Sequence, residues 1–186
     1  MAHVTNHKRR TASPPLGRLL MAFAVSCLLT GCFQPLYGER SPLGGPGVRD
    51  RLSVVEVLPI VSQPDVRVGV EVRNALLFNL TGGAAAGRAD YQLTVKVTTG
   101  RQSVVIDIVS GRPFVEDYNL EANFSLTEIA TNKVVMSGQT FARASRDVTG
   151  QRFAGARALR DAETRAAKVV ADQIAARLAS YFVAGT

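Results

Sequence analysis

The side chain best placed for covalent chemistry is the thiol of Cys32, directly after Leu29-Thr30-Gly31. A thiol here can be converted to a thioether, and small residues ahead of it let a peptidase grip an extended backbone. Upstream lie four cations, Lys8, Arg9, Arg10 and Arg18, and an apolar run from Leu19 to Leu29 that no acid interrupts. That is the layout of a secretory leader. A run of about 11 residues is short of the roughly 20 that a bilayer-spanning helix requires, so cleavage before Cys32 is expected. Removal of residues 1–31 takes away His3, His7 and Cys27, leaving 186 − 31 = 155 residues with no histidine and no cysteine but Cys32. Imidazole acid–base catalysis, Ser-His-Asp and Cys-His nucleophiles, His or Cys zinc sites and structural disulfides are then excluded by composition. The leader also holds four of the 22 Lys and Arg and none of the 15 acids, so the mature charge is 18 − 15 = +3 rather than +7. The basic balance is therefore no sign of nucleic-acid binding.

Leu29-Thr30-Gly31-Cys32 resembles the lipobox of bacterial lipoproteins, which implies lipid attachment at Cys32. Elsewhere chemistry is sparse. Gly82-Gly83 lacks the Lys-Ser/Thr of a phosphate loop and reads as a helix stop. Glu116 and Asp117 are adjacent carboxylates that a strand would send to opposite faces, which suits them poorly to shared proton transfer. No metal-ligand cluster is visible, and no metal or cofactor is expected.

The elements that must carry these residues follow from hydrophobic period. Residues 32–50 are expected to form the lipidated N-terminus and a flexible tether, since Gly38 to Asp50 is rich in Gly and Pro. Residues 51–186 are expected to form one domain, 155 mature residues being too few for two of ordinary size. Leu52 to Ile60 reads as a first strand. Between Val66 and Leu80 a two-residue and a four-residue period compete. Val68, Val72, Leu76 and Leu80, with Asp65 as N-cap and Gly82 as stop, favour a helix. Tyr91, Leu93, Val95 and Val97 alternate with polar residues in a strand, with a bulge or break expected at Gly100 and Val104-Val105-Ile106 continuing to a Ser110–Pro113 turn. Tyr118 to Thr127 alternates likewise, Ala130–Lys133 turns the chain, and a weaker strand runs from Val134 to about Arg146. From about Gln151 to Phe182 Leu159, Ala162, Ala166, Val169, Val170, Ile174, Leu178 and Tyr181 make one apolar stripe on a long helix. The expected fold is α+β: a single four-stranded sheet with two helices on one face, in the order strand, helix, three strands, helix.

This order and three motifs resemble the lipopolysaccharide-assembly lipoprotein family LptE in its alphaproteobacterial form. Cys32-Phe33-Gln34-Pro35-Leu36-Tyr37-Gly38 is similar to the family's Cys-Gly-Phe-x-Pro-Leu-Tyr-Gly opening with one residue missing, and Arg73-Asn74-Ala75-Leu76 to its Arg-Asn-x-Leu. Asp161–Ala167 and Ala171–Phe182 are similar to its terminal helix. The resemblance implies a non-enzymatic outer-membrane lipoprotein that faces the periplasm and sits partly in the lumen of the LptD β-barrel. There it would support barrel assembly and help deliver lipopolysaccharide to the outer leaflet. Phe33 is not the aspartate associated with inner-membrane retention, so outer-membrane sorting is allowed. Contact with lipopolysaccharide phosphates would call for exposed cations near turns, and Arg101, Arg112 and Lys133 are the candidates. Two other readings stay open: an adaptor lipoprotein of another envelope complex, and an Asp/Glu-only hydrolase, against which size and the lack of an acid pair count.

Overall fold

The computed structural model describes residues 47–83, 87–106, 108–109, 111, 113–148 and 151–184. The expected leader, Cys32, most of the tether and Arg112 lie outside them.

The architecture is α+β, as expected, with helices packed against one face of a single sheet. In chain order the elements are α1 (Val48–Ser53), β1 (Val55–Val57), β2 (Val61–Gln63), α2 (Val66–Thr81), β3 (Tyr91–Ile106), β4 (Pro113–Glu128), β5 (Lys133–Asp147) and α3 (Arg152–Ala184). The sheet has five strands rather than four, because the first expected strand is broken. Pro59 has no N–H to continue a ladder, and the chain resumes pairing only at Val61. β1 and β2 therefore lie one after the other along the same edge of β3, both parallel to it, with Val55 opposite Tyr91 and Val61 opposite Lys96. The start of that segment differs too. Val48–Asp50, read as tether, and Leu52-Ser53, read as strand, belong to α1, which Asp50 caps by accepting from the Gly47 N–H at 3.2 Å.

The conflict of periods between Val66 and Leu80 is settled for the helix. Asp65 Oδ1 accepts from the Arg67 N–H at 2.9 Å, and Gly82 closes α2 at φ 65°, a left-handed position that costs glycine nothing, with its N–H on Phe78 O at 2.8 Å. Val68, Val72, Leu76 and Leu80 are all buried. α2 lies so near the β1–β2 link that a Cβ on Gly69 would meet Ile60 O at 2.9 Å.

β3, β4 and β5 form an antiparallel meander. The register runs unbroken through Gly100, which faces Asn119; the irregularities fall later, between Ser103 and Ile106. The buried side is made by Leu93, Val95 and Val97, by Tyr118, Leu120, Ala122, Phe124 and Leu126, and by Thr140, Ala142 and Ala144. α3 lies over it, presenting Ala162, Ala166, Ala167, Val170, Ala171, Ile174, Ala175, Leu178, Ala179 and Phe182. Six alanines in that set let the helix approach the strands and α2 closely. The buried stripe is shifted from the expected one: Val169 is exposed, and Glu163 is inside.

Candidate functional site

The sequence-derived cations do not converge. Arg101 lies in the far half of β3 opposite Tyr118, and Lys133 opens β5 opposite Glu128; both are exposed. Those partners stand ten residues apart on β4, or about 33 Å at the rise of a strand. One phosphate group cannot bridge them. Arg112 lies in the connection between β3 and β4, outside the described residues.

The two neighbouring carboxylates do point to opposite faces, and each is tied down. Glu116 Oε2 accepts from Arg146 Nη2 at 2.5 Å, and Arg146 Nη1 reaches Gly155 O at 3.4 Å, joining the β4–β5 ladder to the first turn of α3. On the other face Asp117 Oδ1 accepts from Ser145 Oγ at 2.6 Å, and Oδ2 lies 3.5 Å from Arg143 Nε. The family-like motifs are structural ties as well. Arg73 Nε donates to Val57 O at 3.3 Å, the Glu163 carboxylate is paired with the Arg67 guanidinium, and Phe182 meets the Tyr91 ring edge-on at 5.3 Å between centroids. These contacts fasten α2 and α3 to the sheet.

What the fold does assemble is an apolar pole. Past Gly100 the β3–β4 hairpin outruns the helices that cover the rest of the sheet, and Val104, Val105, Ile106, Ile108, Val109 and Phe114 are all exposed, Ile108 fully so. Val148 N donates to Phe114 O at 2.9 Å, so the end of β5 and the start of α3 stand at the same pole, where Phe153 is 89% exposed. Large apolar side chains exposed together at one end of a fold suit a place that another molecule covers. Cations flank it: Arg101 below the hairpin, Arg152 and Arg157 on the first turns of α3. Beneath it the Tyr118 hydroxyl is buried. The hydroxyl has no hydrogen-bond partner among the described residues; burial pushes its pKa up, and the charges of Asp65, Arg67 and Arg101 act around it. The pole can take up apolar chains and hold an anionic group at its rim.

Sequence reasoning passed over this pole. Three consecutive β-branched residues, Val104-Val105-Ile106, put apolar groups on both faces of a strand, a pattern normal for strands covered on both sides. Here all three are exposed, and among the described residues no element covers either face; that mismatch is the signal that could have found it.

The opposite face of the sheet is polar, carrying Gln92, Thr94, Lys96, Asn119, Glu121, Asn123 and Gln139, with a half-exposed Phe141 beneath the Arg143 guanidinium, 5.7 Å from its ring centre. Among the described residues no helix is long and apolar enough to cross a membrane.

This α+β arrangement is shared with solved bacterial proteins. A Caulobacter crescentus protein described as a lipoprotein superposes with a TM-score of 0.58 at 21% identity, over 75% of this chain and 97% of that one. A minor lipoprotein from Acinetobacter baumannii gives 0.53 at 15% identity over 70% and 93%, and rare lipoprotein B from Shewanella oneidensis 0.50 at 15% over 69% and 97%. Likeness at such low identity is a likeness of fold. No curated protein matches the sequence. Residues 52–178 match the family model described as LptE, lipopolysaccharide-assembly, and the chain belongs to that family. Its members are membrane-associated lipoproteins that act in lipopolysaccharide assembly with LptD.

Proposed function

We propose that this protein is anchored in the outer membrane through a lipid on Cys32, plugs and supports assembly of an LptD-like β-barrel, and helps deliver lipopolysaccharide to the outer leaflet, catalysing no reaction. The observation that carries this is the family match across residues 52–178. Two surfaces support it. A polar sheet face suits the polar interior of an outer-membrane barrel, and the apolar pole with Arg101 below it suits an amphiphile that has acyl chains and phosphates. Arg112 enters the same reading through the hairpin connection, whereas Lys133 would make a separate contact at the other end of the sheet. Burial of lipid at about 0.8 kcal/mol per methylene makes the anchoring stable once two or more chains are present.

Depletion of the protein is the test. Surface lipopolysaccharide should fall and the barrel should misassemble. If both stay normal, the role is a different one, and an adaptor of another envelope complex takes its place. Joint charge reversal at Arg101, Arg112 and Lys133 should weaken lipopolysaccharide binding and make the remainder less salt-sensitive, because phosphate attraction is screened over about 10 Å at 0.1 M salt. Unchanged binding and salt dependence would remove these three residues from the contact.

A further inference from the structure

Beyond Tyr118 and its partner Arg101, β3 and β4 stay paired as far as Ile106 opposite Pro113. The five residues from Gln102 to Ile106 carry the hairpin about 17 Å past the buried tyrosine at the rise of a strand. That projection is apolar all round. Val105, the least exposed of Val104, Val105, Ile106 and Phe114, is still 47% exposed. Neighbouring strand residues point to opposite faces, and the register slips on both sides of Val105, which turns side chains further around the strand. A groove on a protein would cover one face of such a hairpin and leave the other wet. An added strand would need the even ladder that the slip removes. A medium that surrounds the projection covers every side.

We propose that this pole enters the interfacial layer of a phospholipid bilayer with anionic headgroups, giving the domain a membrane contact of its own. Charge agrees with that occupant. Exposed Arg101, Arg152 and Arg157 stand around the pole against the exposed Asp147, opposite Val115, for a net 3 − 1 = +2. Glu116 and Arg146 are paired with each other, and Asp107 and Arg112 in the hairpin connection cancel in charge. Such a collar is drawn to acidic headgroups while the apolar groups between its members go into the acyl boundary. Backbone chemistry sets the depth. β2 ends at Gln63, opposite Thr98, so from Thr99 onward that edge of β3 has no ladder partner among the described residues. Its N–H and C=O groups need water, which limits entry to about 5–10 Å.

This contact goes beyond the lipopolysaccharide reading and stands without it, since phospholipid alone supplies both acyl chains and phosphates. Phe153, at the start of α3, extends the apolar surface from the hairpin to the helix. Insertion would thus hold the end of β5 and the first turn of α3 against the membrane together with the hairpin.

The sequence has no tryptophan, so a single introduced indole reports its own surroundings. The full processed protein is reconstituted in vesicles of phosphatidylethanolamine and phosphatidylglycerol with brominated acyl chains and no lipopolysaccharide. Phe114→Trp and Phe153→Trp should be quenched at least about threefold more than Phe141→Trp on the open sheet face or Phe78→Trp on α2. Arg152→Glu with Arg157→Glu, added to Phe114→Trp, should cut its quenching by about half or more. All four phenylalanines are exposed, so the melting curves of these variants should match the parent. Equal quenching at the four sites would overturn the proposal. Quenching of Phe114→Trp that appears only when lipopolysaccharide is added would overturn it too, assigning the pole to that amphiphile alone. Strong quenching at the pole, combined with normal surface lipopolysaccharide after depletion, would uphold the membrane contact while removing the lipopolysaccharide role.

Discussion

Glu163 faces α2 from α3 at 4% exposure, and only the guanidinium of Arg67 makes that tolerable. Arg67→Ala strands a buried carboxylate. The expected loss is about 2 kcal/mol, below the 3–5 of a fully buried pair because Arg67 itself is partly in water. Urea unfolding measures it, and an unmoved midpoint would show that the pair contributes nothing. Tyr118 gives a pH dependence. Burial raises its pKa above the unfolded value near 10, so the stability linked to its neutral form is complete below pH 10 and is lost as pH rises through the folded value. Tyr91 shifts in the same direction, burial again first. Tyr118→Phe should therefore flatten the alkaline limb of a stability–pH curve; an unchanged limb would assign it to other groups. If Cys32 carries the proposed lipid, Cys32→Ser should accumulate as uncleaved precursor, and mature-sized, acyl-labelled variant would refute the processing. At this scale the signal at Cys32 is local to the sequence and lies outside the described residues. The sequence was silent at Glu163, whose position on the buried face depends on a partner 96 residues away on another helix.

Elements were more legible than residues. α2 was readable because its cap, its stop and its four-residue period agree, and β4 because polar and apolar residues alternate without exception from Tyr118 to Thr127. Where pattern and covalent geometry disagree, the reading failed. Leu52 to Ile60 is apolar enough for one strand, but Pro59 interrupts the ladder and α1 takes its first two residues. Gly100 looked like a break and is paired through, because neighbouring strands on one side suffice to hold a glycine extended. The shared core of α2, α3 and the sheet carries firm expectations. Ile174→Asp or Leu178→Asp places a charge at a site of 0% exposure and should leave no cooperative melt in the soluble domain, the cost matching much of a total stability of about 5–15 kcal/mol. A retained melt would show that α3 does not form the core. Gly69→Val should be as severe, for the Ile60 carbonyl and the Ser62 Cβ are backbone or near it and cannot swing aside.

At the largest scale, among the described residues, the sheet divides the surface by chemistry: helices on one face, polar side chains on the other, and an apolar hairpin at one end. α3, about 50 Å long for its 33 residues, braces that plan from the hairpin end to α1, where Arg51 Nη1 donates to Phe182 O at 3.2 Å. The fold class followed from the sequence because it needs only the order and period of elements. The pole did not, because a run of β-branched residues reads the same whether the chain or a partner covers it. Barrel partnership is the central claim, and the most direct measurement is mass spectrometry of what co-purifies with the tagged, processed protein in detergent. The account predicts a large LptD-type β-barrel in near-equal amount, resistant to high-salt washing if the proposed contact buries a whole sheet face. Recovery of the chain without a barrel, or with the subunits of another envelope complex, would contradict it.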